Sequence, residues 1–320
     1  MNTNSRQKKI VVMGGASGPS LVLRGLKTYN DLDLAAVIAM TDSGRSSGKV
    51  RQELGQLPPA DILRVMISMS PYDYHTLMQI FYNARFCAPD LLEGLNIGSV
   101  LIALAAKETG KLPVVIEQLS NILETRGRVL PVTLDMSNLV VECSDQTCLL
   151  GEGNIDEPHE NLDREIVKAY LSPAAYITDE AADAIRKSDT IIIGPGDLYT
   201  SCIAALLPIG VKEAIRESSA KIIYVAGNKY TIGGEPAPKK LSERVVALEQ
   251  FLPRPVDVLL YDNHQLSTQE RDYYKKKKWG LIEFDMEKNT NKSVVGVDLE
   301  LAGGGIDPQK VGKALKPLLV

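Results

Sequence analysis

Residues 8–26 read KKIVVMGGASGPSLVLRGL, and this stretch decides the fold. Ile10 to Met13 form a continuous apolar run, Gly14, Gly15 and Gly18 break it, and Leu21, Leu23 and Leu26 resume at helical spacing. A buried strand that turns through glycines into a helix is the opening unit of an α/β sheet. The turn admits two readings. Backbone N–H groups at the positive end of a helix suit an anionic phosphate, yet the same glycines serve a plain sharp corner. No Gly-Lys-Ser/Thr follows, and glycines at 14, 15 and 18 do not match G-x-G-x-x-G, so neither standard phosphate motif is present.

The same alternation recurs along the chain. Leu34 to Met40 is a second strand-like run, residues 59–125 turn mostly helical, and NLVVECSDQTCLL (138–150) is β-rich with a hairpin turn at Ser144-Asp145. The βα pattern then returns in DTIIIGPGDLY, AKIIYVAGN and PVDVLLYDN. The expected architecture is a single domain over residues 1–320: a mostly parallel α/β core from about 8–60 and 186–300, with a helical and β insertion over about 61–185. In such sheets ligands collect at the carboxyl ends of strands.

Composition narrows the partner. The chain is 320 residues long and 44% hydrophobic, ample for a core, and its 36 Lys and Arg against 40 Asp and Glu leave a net charge of −4. That balance argues against a nucleic-acid or anionic-membrane surface and for a small-molecule partner. The polar start MNTNSRQKK and the lack of any apolar span of about 18 residues predict a cytoplasmic protein. Cys87, Cys143, Cys148 and Cys202 read as small buried residues in a reducing compartment. The run Lys275 to Lys278 reads as a solvated face, and Gly303-Gly304-Gly305 as a flexible approach to Asp307, an N-cap with Pro308 at the first helical position.

Four further strand ends carry chemistry. In MTDSGRSSGKVRQELG (40–55), Asp42, Ser43, Ser46 and Ser47 offer a carboxylate and hydroxyls around Gly44 and Gly48, with Arg45, Lys49 and Arg51 beside them. Asp42 suits a magnesium ion or a ribose hydroxyl, and a capped surface loop fits equally. In LPPADILR (57–64), Asp61 begins a helix, as a dipole-complementing or a catalytic carboxylate. IIIGPGDLYTS (191–201) repeats the first turn with Gly194, Pro195 and Gly196 before a helix starting near Leu198-Tyr199. VAGNKYTIGGEP (225–236) ends a strand in Gly227-Asn228, whose amide suits a base or sugar.

This series resembles the CofD-like family of 2-phospho-L-lactate transferases, and more closely its gluconeogenesis-factor (YvcK-like) branch. The most specific pieces are GQLPPADI (55–62), RGRVLPVT (126–133), GEGNI (151–155) and IGPGDLYTS (193–201), and the likeness runs from about residue 9 to 300. It implies a Rossmann-like α/β domain with a nucleotide or nucleotide-sugar held at the first glycine turn, and self-association as a homodimer. Transferase-type relatives move a phospho-lactyl group from a guanosine diphosphate carrier to a deazaflavin alcohol with magnesium. Gluconeogenesis-factor relatives bind UDP-sugars and affect carbon metabolism and cell-envelope synthesis, which shapes the cell, without needing catalysis.

The departures fall on one side of the site. The family's GGGTG is GGASG here, keeping Gly14, Gly15 and Gly18 with Ser17 as the hydroxyl residue. Its DDGGSSG is DSGRSSG, which keeps Asp42, Gly44, Ser46, Ser47 and Gly48 but places Ser43 and Arg45 where an aspartate and a glycine stand. Leu63 and Arg64 replace arginine and asparagine, and Ser99 replaces an asparagine amide. Metal-assisted transfer depends on its charges being in place, whereas binding tolerates such losses. The resemblance therefore implies a nucleotide-sugar-binding regulator with Gly14, Gly15, Ser17 and Gly18 near phosphate, Asp42, Ser46 and Ser47 on polar groups, and Gly194, Gly196, Leu198, Tyr199 and Asn228 across the cleft. The alternative is a magnesium-dependent transferase with Asp42 and Asp61 catalytic and Asp42 holding the metal.

Overall fold

The computed structural model describes residues 6–15, 17–87, 92–156, 164–286 and 292–319. Twelve strands are described: β1 (Lys8–Gly14), β2 (Leu32–Ile38), β3 (Arg128–Pro131), β4 (Asn138–Cys143), β5 (Cys148–Leu150), β6 (Ile166–Ser172), β7 (Thr190–Ile193), β8 (Lys221–Val225), β9 (Lys229–Thr231), β10 (Val258–Asp262), β11 (Trp279–Leu281) and β12 (Ser293–Val297). Seven form one sheet in the order β12-β10-β8-β7-β1-β2-β3, and every pairing in it is parallel. Parallel neighbours need crossover connections, which is why helices intervene and both faces are covered.

The apolar runs are buried on both sides because successive side chains point to opposite faces. Val11, Met13, Val37, Ile191 and Ile193 enter the core on one face, while Ile10, Val12, Leu34, Ile38, Ile192 and Ile223 enter the core on the other. The sheet thus divides two apolar layers. On one of them the helix Gly18–Leu26 lies against the closing helix Pro308–Leu315. They meet at Gly25 and Gly312, so closely that a β-carbon on Gly25 would stand 2.1 Å from the Pro308 carbonyl oxygen.

The expected α/β class is observed, and the insertion is less separate than the sequence suggested. Strand β3, inside the 61–185 segment, is the edge of the main sheet beside β2, and helix Ala60–Met69 packs against helix Gly18–Leu26. Helices Ile97–Thr109 and Leu112–Ile122 extend that layer. The β part is an antiparallel sheet, β5-β4-β6, and residues 144–147 turn between β4 and β5 where the hairpin was expected. Asp307 caps its helix by accepting the N–H groups of Gln309 and Lys310, as its place before Pro308 predicts. Cys143 and Cys202 are buried, but Cys87 and Cys148 are exposed, which corrects the expectation for half of the cysteines. No helix among the described residues is long and apolar enough to cross a membrane.

The tightest constraint lies between the first and fourth turns. A β-carbon on Gly18 would fall 1.5 Å from the Pro195 carbonyl oxygen. Backbone on both sides leaves no flexible end to yield, so Gly18→Ala is expected to destabilise beyond the roughly 3 kcal/mol that bounds most single substitutions. Urea unfolding measures it, and a loss below about 1 kcal/mol would show that the turns relax apart.

Candidate functional site

After β1 the chain crosses to β2 and β3 on one side, and it later returns on the other side as β7 and β8. The order 3-2-1-4-5-6 among the first six sheet strands is that of doubly wound nucleotide-binding sheets, with a crevice at the carboxyl ends where the winding reverses. Here those ends are level: Met13 pairs with Ile193, and Ile193 with Tyr224. The two glycine turns therefore face each other at the switch point. Gly194 holds φ +81° and a β-carbon on it would stand 2.7 Å from the Val225 carbonyl oxygen, so the second turn also needs its glycine.

A cleft of about 440 Å³ opens there, bordered by Ser17, Gly18, Gly196, Asn228, Trp279 and Gly304. Ser17 is exposed at the start of helix Gly18–Leu26, and Gly14 and Gly15 pack toward Ser201. Ser17, Gly18, Gly196 and Asn228 thus line one crevice, whereas Gly14, Gly15 and Gly194 are buried within the two turns; Ala16 lies outside the described residues. Asp61 reaches the same turn, its Oδ2 standing 3.5 Å from a β-carbon position on Gly15.

The Asp42 loop is organised inward. Asp42 accepts the Gly44 N–H at 2.9 Å and a bond from Ser47, and the Ser43 hydroxyl oxygen accepts the Glu152 N–H at 2.9 Å, which joins this loop to the GEGNI segment. Ser46 lies in the short helix Arg45–Lys49. Two of the three cations expected to line the loop are committed elsewhere. Arg51 donates to the carbonyls of Thr41 and Ser137 and to Asn138 Oδ1, and Lys49 donates to the Glu93 carbonyl. The Arg45 side chain lies outside the described residues.

Leu198 and Tyr199 are buried, and their backbone donors already have an acceptor. The segment Leu198–Ile203 is π-helical, a geometry often found at functional sites. The N–H groups of Leu198, Tyr199 and Thr200 donate to the Glu235 carboxylate at 2.5, 2.9 and 3.0 Å. Glu235 comes from the loop after β9, so an internal carboxylate sits where a helix start attracts an anion. The helix start suggested an anion site in sequence, but no spacing rule pairs residue 198 with residue 235.

Glu235 is one of several acids gathered here. Burial pushes it to about 7, helped by the Asp197 carboxylate and opposed by Arg244. Burial likewise takes Asp156 up to about 8, with Glu235 and Asp197 adding to the rise. Glu152 is raised well above the usual carboxylate range by burial and then by Asp42, and burial raises Asp42 and Asp197. The sequence reading passed over Glu152, Asp156, Asp197 and Glu235. Three of them stand inside quoted motifs, GEGNI, GPGD and IGGEP, where the glycines drew the attention.

Across the cleft, Asn228 is held from behind. Its Nδ2 lies 2.8 Å from Asp262 Oδ2, 2.7 Å from Glu300 Oε2 and 3.1 Å from the Tyr274 hydroxyl, while its Oδ1 is buried with no partner among the described residues. Gly304 and Gly305 form part of the cleft wall at φ +99° and +95°, which corrects their reading as a mere approach to the Asp307 cap. Lys275 to Lys278 are exposed, as a solvated face should be.

The family model described as 2-phospho-L-lactate transferase CofD matches residues 10–300. A Thermotoga maritima protein is 35% identical over 88% of this chain and 88% of its own length. The gluconeogenesis factor of Bacillus subtilis is 31% identical, covering 88% of this chain and 87% of its own. The crystal structure of a UPF0052 family protein from Bacillus halodurans superposes with a TM-score of 0.88 at 29% identity, over 98% of this chain and 99% of that one.

The acids make stability depend on pH with a definite sign. An Asp156 carboxyl raised from 3.8 to about 8 keeps its proton in the folded state while the unfolded chain has released it, so stability falls as pH rises between those values. Asp156→Asn is expected to raise Tm by a few degrees at pH 8 and little at pH 4. Calorimetry across that range tests it; an unchanged pH slope would remove Asp156 from this role.

Proposed function

Because the chain belongs to the 2-phospho-L-lactate transferase CofD family, we propose that it is a cytoplasmic nucleotide-sugar-binding regulator of the UDP-sugar type. In the manner of the gluconeogenesis factors it resembles, it would couple ligand level to carbon metabolism and cell-envelope synthesis. The observation that carries this reading is the meeting of two glycine turns at the switch point of a doubly wound sheet, with a cleft of about 440 Å³ opening beside them. Ser17 and the start of helix Gly18–Leu26 offer hydroxyl and backbone donors to phosphate. Binding is favoured over transfer because Asp42, Ser43 and Arg51 of this loop are spent on the scaffold. The Ser43 hydroxyl holds Glu152, Arg51 bolts the loop to residues 137 and 138, and Asp42 closes its own turn.

The transferase reading rests on one arrangement, Asp61 against the Gly15 backbone with Asp42 nearby in charge. Its magnesium fits only in part. No three Asp, Glu, His or Cys side chains converge as ligands among the described residues, and Asp42 already takes the Gly44 N–H. The ion would arrive with the ligand's phosphates, completed by water and by Asp42.

A thermal-shift series of nucleotides and nucleotide-sugars, with and without magnesium, separates the readings. A bound UDP-sugar at a hundred times its Kd adds about 2.7 kcal/mol to stability. A shift with GDP and magnesium, and none with UDP-sugars, would end the regulator reading. Asp42→Asn is expected to leave UDP-sugar affinity within about threefold, whereas in a transferase it would cut turnover by orders of magnitude.

A further inference from the structure

Trp279 is the one tryptophan of the sequence, and it lies on the wall of the cleft that Ser17 and Gly18 also line. It sits on β11, which pairs antiparallel with β9 in a two-stranded flap outside the main sheet. The indole is fixed from the protein side. Tyr273 and Tyr274 meet it edge-on, with centroids at 5.9 and 5.3 Å and interplanar angles of 73° and 82°. Gly304 packs so near that a β-carbon there would lie 3.3 Å from the indole Cζ3.

What lies on the ring is a charge. Lys229, on the partner strand β9, places its Nζ 2.8 Å from the indole centroid. It also stands 5.9 Å from the Tyr274 centroid, and burial lowers its amine to about 8. The neighbouring residue, Asn228, has a buried amide oxygen without a donor among the described residues. Its amide cannot turn over to satisfy that oxygen, because the Nδ2 position faces the Asp262 and Glu300 carboxylates. The cleft lining therefore combines an aromatic face held by two tyrosines, a cation resting on it and an unused acceptor. The same lining includes Ser17 and Gly18 at the start of the first helix.

We propose that Trp279 is the stacking platform for the base of the nucleotide, and that Lys229 is an exchangeable cover which the base displaces from the ring. The proposal rests on the nucleotide reading above and names the residue of the cleft that takes the base. Stacking is available to any base because each has a π face. An N–H donor on the base edge would satisfy Asn228 Oδ1, and the displaced ammonium gains the ligand's phosphates as partners.

The single tryptophan makes the test direct. UDP is titrated into the whole protein while Trp279 emission is followed, with equilibrium dialysis as an independent measure of binding. Inorganic pyrophosphate serves as the base-free probe, and GDP replaces UDP if only GDP binds. The expected result is that the nucleotide changes the emission and shields Trp279 from acrylamide, while bound pyrophosphate does neither. Trp279→Ala should weaken UDP by roughly 10- to 100-fold, the scale of one stacked base, with pyrophosphate affinity unchanged and Trp279→Phe restoring most of the loss. Lys229→Ala should open the unliganded Trp279 to acrylamide. Nucleotide bound by dialysis with unaltered Trp279 emission, or with full affinity in Trp279→Ala, overturns this assignment and leaves the nucleotide reading standing. Absence of binding by any nucleotide overturns both.

Discussion

The start of helix Gly18–Leu26 lies directly on the Pro195 carbonyl, at a distance that only a hydrogen side chain permits. From this approach the rest of the site follows. It holds the turns after β1 and β7 side by side, and it aims the first helix at the crevice between them. The second glycine contact, Gly25 on Gly312, sets the same helix against the closing helix. A helix pinned by backbone at both ends has little freedom to tilt, so the donors at its start keep a fixed relation to the strand ends.

Around that rigid centre the charges are arranged less comfortably. Asp42, Glu152, Asp156, Asp197 and Glu235 all sit where burial disfavours ionisation, and neighbouring carboxylates raise Glu152, Asp156 and Glu235 further. Cores that only need stability rarely gather acids in this way. Such a gathering of raised carboxylates is what marks this region as the candidate functional site. Glu235 shows how part of the tension is relieved. Its carboxylate takes three amide donors at the start of the π-helical segment and ties the loop after β9 to the segment that follows the β7 turn.

The sheet was legible because its evidence is local. Ile10 to Met13 and Ile191 to Ile193 are runs too short and too apolar to be anything but strands buried on both faces, and each is followed by glycines. The same locality made Asp307 readable as a cap. What escaped were relations across long separations. Strand β3 looked like part of an insertion because its partner β2 lies some ninety residues earlier, as Ala35 pairs with Arg128. Glu235 could not be matched with Leu198 because the bond depends on how a loop folds back. Arg51 and Lys49 looked like ligand cations because charge is visible in a sequence while the carbonyls that absorb it are not. Gly304 and Gly305 looked idle for the same reason.

The central position of β1 also bears on how the chain reaches this state. β1 is made shortly before β2, but its other neighbour is made far later, since Ile10 pairs with Thr190. Until then an apolar strand with a full row of unpaired amides and carbonyls stands at an open margin, ready to pair with any extended segment that meets it. The high sequence separation of that pairing slows its formation. The crevice between the two turns is thus completed only when the middle of the chain has been made.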